Sequence, residues 1–115
     1  MGAFDSRFND KTYEGDEPIE FSALPSGVSA AIPERLFHRA QQIARAYELH
    51  LLPTIDIYCR TVLVKDQCRV LLEELELIIS VVRDALLESN ITRVKNVVEQ
   101  CTRHPADSSL VIEGP

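Results

Sequence analysis

The chain has no tryptophan, and aromatic residues make up only 6% of it. A platform that stacks nucleic-acid bases needs several such rings, so that class is set aside. Glycine is equally scarce, with four residues at Gly2, Gly15, Gly27 and Gly114. None falls in a loop that cradles phosphate through its backbone amides. G-x-S-x-G and H-E-x-x-H are missing as well, so neither a serine-hydrolase elbow nor a zinc-peptidase helix is present. The three cysteines, Cys59, Cys68 and Cys101, are odd in number and include no C-x-x-C pair. A disulfide framework is therefore not expected, and a reducing cytoplasmic compartment is the simplest reading. No signal peptide and no apolar run of membrane length occur, so no membrane association is expected.

Basic residues are also in the minority. Twelve Lys and Arg face eighteen Asp and Glu, for a formal charge of -6. Such a surface repels a phosphate backbone, so no nucleic-acid partner is expected, and a basic protein partner suits it better. The acidity is local. Residues 1–24 carry six acids and two bases, residues 25–65 three and five, and residues 66–88 six and two.

The chain of 115 residues is long enough for one domain with a real core. Residues 1–16 read as a mobile polar arm, with Met1 to Ser6 formally matching an N-acylation pattern. Residues 17–115 read as a single α+β domain. Ile19, Phe21 and Ala23 alternate as a strand that Leu24-Pro25-Ser26-Gly27 ends. Pro33-Glu34 opens a helix carrying Phe37, Ala40, Ala44, Tyr47 and Leu51, which Pro53 stops near residues 50–52. Residues 54–65 fit either a strand or an ordered loop. Asp66 reads as the cap of a long helix over residues 67–88, built on Cys68, Leu71, Leu75, Ile78, Val82 and Leu86. Ser89-Asn90 breaks it and caps a third helix on Ile91, Val94, Val98 and Cys101, ended by His104-Pro105. Ser109 to Glu113 closes the chain as a strand. The expected fold is three helices on a two- to three-stranded sheet, in the order β-α-(β)-α-α-β.

Two sets of side chains stand out on the long helix. Glu73, Glu76 and Asp84 fall on a polar stripe and are the candidate partner-binding residues. Val70, Leu77 and Val81 lie on the flank of that stripe and offer a two-fold contact with a second copy. No catalytic site is expected, because Cys68 and Cys101 lie on core faces, where cysteine acts as a small hydrophobe. No metal site or cofactor is expected either, since Cys101 and His104 supply too few ligands for zinc.

One further pattern runs through roughly residues 55–114. It comprises Asp56-Ile57-Tyr58-Cys59-Arg60-Thr61-Val62, Gln67, Glu74-Leu75 and the closing Leu110-Val111-Ile112-Glu113-Gly114. These segments resemble small bacterial orphan proteins that include immunity partners of secreted antibacterial toxins. Those proteins carry a Tyr-x-x-Thr-Val segment, a Gln opening a helix with Glu-Leu inside it, and a terminal Ile-x-Gly strand. The resemblance implies a protein that inhibits a cognate toxin by binding it. The alternative from the residues alone is a self-associating structural or accessory protein.

Overall fold

Apolar residues spaced two apart in four short segments place one side of each segment against a common core. The computed structural model describes residues 18–103 and 108–114. The expected arm over residues 1–16 and the expected helix stop at His104-Pro105 lie outside them. The segments are β1 (Pro18–Leu24), β2 (Ser29–Pro33), β3 (Thr61–Val64) and β4 (Ser109–Glu113). They form an antiparallel sheet in the order β2-β1-β4-β3. Among the described residues three α-helices, α1 (Glu34–Ala46), α2 (Lys65–Val81) and α3 (Ala85–Arg103), pack on this sheet in an α+β fold.

Among the described residues the order is β-β-α-β-α-α-β, with four strands where two or three were expected. The additional strand is β2. Its sequence, Ser29-Ala30-Ala31-Ile32-Pro33, contains two alanines and a proline, all poor strand formers. The hairpin makes it a strand. Ala23 N–H donates to the Val28 carbonyl at 2.8 Å, and Gly27 N–H donates to the Ala23 carbonyl at 2.7 Å. Gly27 has φ +83°, a left-handed conformation that glycine adopts without steric cost.

The inner face of the sheet presents Ile19, Phe21, Ala23, Ile32, Leu63, Leu110 and Ile112, all buried. Leu36, Phe37 and Ala40 of α1, Leu71, Leu75 and Ile78 of α2, and Ile91, Val94 and Val98 of α3 fill the other side. The outer face carries Leu24, Val62 and Val64, each more than two-fifths exposed. Residues 55–60 form a loop and only residues 61–64 pair as a strand. Buried Ile55 and Ile57 anchor this loop. The buried Gln41 amide donates to the carbonyls of Leu52 and Ile55 at 3.0 and 2.9 Å.

Two helix boundaries differ from the sequence reading. The first helix ends at Ala46, not near residues 50–52. Leu49 N–H donates to the Ala44 carbonyl and Glu48 N–H to the Arg45 carbonyl, which is the wrap of a Schellman stop. Glu48 takes the left-handed position at φ 58°, where glycine is usual. The second helix starts at Lys65, with the Gln67 side chain accepting the Val64 N–H at 3.0 Å, while Asp66 pairs instead with Arg69. The helix then stops at Val81, so the expected continuous helix over residues 67–88 is two helices. Residues 82–84 reverse the chain, and α2 and α3 pack along each other as a helical hairpin. Both arms face one core, but the register changes at the bend: Leu86, expected on the buried face, is 43% exposed, and Leu87 is buried instead. Asn90, expected at a break, is buried inside α3 with its amide donating to the Leu86 carbonyl at 2.8 Å.

Candidate protein-binding cleft

The Schellman stop of α1 leaves the next three backbone amides pointing toward α2. There they meet one carboxylate. Glu74 accepts N–H bonds from His50 at 3.1 Å, Leu51 at 2.9 Å and Leu52 at 2.7 Å. Its residue is only 6% exposed. These bonds fasten the turn over residues 49–52 against α2 and offset the cost of a left-handed glutamate at position 48.

Beside this fastening lies a cleft of about 330 Å³ lined by Leu49, His50, Val70, Glu73, Glu74 and Leu77. That volume is at the low end for small-molecule pockets, and it suits one or two side chains of a partner. Leu49, Val70 and Leu77 form its apolar surface, and Val70 is 45% exposed. Glu73 stands exposed at the rim and makes no ion pair or hydrogen bond among the described residues. A partner offering an apolar side chain next to a lysine or arginine matches both features.

The structure separates the three candidate acids. Glu73 borders the cleft. Glu76 faces α3, 3.8 Å from Lys95, which also lies 3.8 Å from Glu99. Asp84 is not on α2 at all, because the helix ends before it. Its carboxylate accepts N–H bonds from Leu86 at 2.9 Å and Leu87 at 3.3 Å, which caps α3, and it pairs with Arg39 of α1. Val70 and Leu77 border the cleft, with half-buried Val81 one turn beyond them on the same stripe of α2.

Asp84 is thus a junction between all three helices. Burial alone pushes its carboxyl up, but the amides of Leu87 and Leu86 and the Arg39 guanidinium together hold it below its ordinary value. A carboxyl with a depressed folded-state pKa contributes stability that is complete above the unfolded pKa and is lost as pH falls through the folded one. Asp84→Ala is therefore expected to cost about 1–2 kcal/mol at pH 7, as for other lost caps. The gap to the parent should narrow below about pH 4, where the parent also protonates. Urea melts of both proteins from pH 7 down to pH 3 check this, and a gap independent of pH would contradict it.

Leu49, His50 and the fastening role of Glu74 were not singled out from sequence. A signal for Glu74 exists: Leu71, Glu74, Leu75 and Ile78 share the spacing of one buried face, so an acid there needs donors. Leu49 and His50 carry no such signal, since they join the cleft only through the helix stop.

The surroundings of all three thiols favour the protonated form. Cys68 is pushed up to about 12 by burial and by the neighbouring Cys101. Burial also raises Cys101, and exposed Cys59 is raised by its hydrogen bond to Asp56. A thiol held high in pKa is mostly protonated at neutral pH and a poor nucleophile. Among the described residues no three His, Cys, Asp or Glu side chains converge to hold a metal ion, and no helix is long and apolar enough to cross a membrane. The Cys101–His104 pair lies outside the described residues, because His104 does. Searches of protein-family models, curated proteins and solved structures find no match to this chain.

Proposed function

We propose that this chain is a small acidic protein-binding module, and that its most concrete form is a bacterial immunity protein that inhibits a cognate toxin by binding it. The cleft beside α2 carries this reading: an apolar surface of Leu49, Val70 and Leu77 next to the carboxylate of Glu73, which is unpaired among the described residues. A basic partner would seat an apolar side chain between Val70 and Leu77 and place its cation on Glu73. Glu76, beside Lys95, and Asp84, paired with Arg39, lie outside the cleft lining and are the lesser members of the proposed acidic set. The resemblance of residues 55–114 to toxin-immunity partners and the net charge of -6 point the same way. Binding on the cytoplasmic side would keep such a toxin from its producer's own targets.

Glu73→Lys with Glu76→Lys is expected to weaken the partner complex about tenfold or more while leaving helicity unchanged. Glu73→Lys alone should carry most of that loss, because Glu76 already faces Lys95. Isothermal titration of the purified complex, with circular dichroism on the free variants, reads both. Unchanged affinity would remove these residues from the interface.

The exposure of Val70 favours a second reading, in which Val70, Leu77 and Val81 meet the same stripe of a second copy. Light scattering at high concentration separates the two: a monomer keeps the cleft for a foreign partner, and a dimer gives it to a second copy.

A further inference from the structure

The β1–β2 turn fixes which way each strand's backbone faces. Ala23 bonds toward β2 through both its N–H and its carbonyl. Backbone groups alternate sides along an antiparallel strand, so Ser22 and Leu24 bond toward β4. Their partners in register, Val111 and Ser109, therefore face β1, which turns Leu110 and Ile112 toward β3. Leu110 and Ile112 are opposite Leu63 and Thr61. That leaves Val62 and Val64 facing away from the sheet. The Val64 N–H agrees, because it bonds to the Gln67 side chain and not to β4. The N–H and carbonyl of Val62 thus both point to the outer edge of β3, which among the described residues is the terminal, open strand of the sheet.

This edge is uncharged along Thr61–Val64 and β-branched at three of its four positions, which is the composition that accepts another strand. Val62 and Val64 are 53% and 58% exposed. Basic residues flank it on an otherwise acidic chain. Arg60 is exposed just before β3 and makes no ion pair or hydrogen bond among the described residues. Lys65 and Arg69 line a hollow of about 370 Å³ with Val64 and Asp66 at the other end. Asp66 is tied to Arg69 at 2.8 Å, and Glu113, one step beyond the Ile112–Thr61 pair, forms no ion pair with Arg60.

We propose that the open edge of β3 is a strand-addition site for an extended segment of a partner protein, with alternating apolar side chains and an acidic residue at its end. The Val62 N–H and carbonyl supply the backbone pair. An apolar side chain of the added strand continues the outer-face row of Ser22, Val111 and Val62. Arg60 takes the acidic residue. A second copy fits less well. In a two-fold pairing centred on Val62, Arg60 of one copy lies opposite Val64 of the other and Cys59 opposite Lys65, so Arg60 meets no acid.

The site is separate from the cleft, and its test is chosen to fail separately. Random decapeptides displayed on phage are selected against the full chain, and the selected peptides are labelled and titrated by fluorescence anisotropy. The expected winners alternate apolar residues and carry Asp or Glu at one end. Val62→Pro removes only the outward N–H, leaves the β4 ladder intact, and should weaken them at least tenfold. Arg60→Glu, a surface change, should weaken acidic winners similarly and turn the selection toward Lys and Arg. Glu73→Lys should leave them unaffected. No winners, winners without this pattern, or equal binding by Arg60→Glu would overturn the proposal. A dimer of the parent that Val62→Pro dissolves would overturn it in favour of a second copy.

Discussion

Replacing Glu74 with alanine is expected to cost about 3–5 kcal/mol of folding stability, from three backbone amides that lose a charged acceptor at once. For a domain of this size that lowers the thermal midpoint by roughly 12–25 °C. The three bonds are 2.7–3.1 Å long and converge on one buried side chain, so water replaces them poorly. Any relaxation of the left-handed backbone at Glu48 once the turn is released would offset part of that loss. Glu74→Gln keeps the shape and one acceptor and should cost about half as much. Urea unfolding with a fixed slope m measures both. The consequence reaches the cleft, because Leu49 and His50 hang on the fastened turn. Partner affinity should fall with Glu74→Ala even where the protein remains folded. A loss under about 1 kcal/mol would mean that residues 48–52 hold their own shape.

Phe37→Ala is expected to cost a similar amount, about 3–5 kcal/mol, for a different reason. Phe37 is 2% exposed on α1, and its ring centroid lies 5.8 Å from that of Phe21 on β1, tilted by 56°. This pair joins the first helix to the centre of the sheet. Its loss removes the transfer energy of a large ring, leaves a cavity, and ends a tilted ring contact worth about 0.5–1.5 kcal/mol. Phe37→Leu refills most of the volume and should recover more than half. Here partner affinity, measured well below the thermal midpoint, should be unchanged, because neither cleft wall depends on this ring. The two variants thus separate the core from the site: both destabilise, and only Glu74→Ala weakens binding. A Phe37→Ala protein within about 1.5 kcal/mol of the parent would mean that the core collapses around the cavity.

The same distinction explains how far the sequence could be read. The three buried helix faces were legible, because each needs apolar residues three and four apart and the chain has them. So were β1, whose alternation faces a single core, and β4, where Leu110 and Ile112 share the core face and Val111 between them is also buried. Where the helical chain reverses was not legible from periodicity. Val82 packs against the core at the bend, but Leu86, which keeps the spacing of α2 in the sequence, is 43% exposed, and Leu87 takes the buried place. Asp84 was the available signal, an N-cap residue ahead of Ala85-Leu86-Leu87, and as a surface acid it has the same appearance. The strand β2 was hidden by its alanines, because its partner in the hairpin, and not its own propensity, makes it a strand. In the cleft, Glu73, Val70 and Leu77 were legible as an exposed acid and apolar flank of one helix. Leu49 and His50 were not, because a left-handed glutamate and a distant carboxylate bring them there.

The most direct measurement is paired affinity capture from a lysate of the protein's own source, with the wild-type chain and the Glu73→Lys/Glu76→Lys variant as baits, read by quantitative mass spectrometry. The cleft reading predicts one near-stoichiometric partner with a basic surface on the wild-type bait, reduced about tenfold or more on the variant. A toxin domain in that partner would make it an immunity complex. Equal recovery on both baits, or recovery of the bait alone, would contradict the assignment of this cleft to a foreign basic protein.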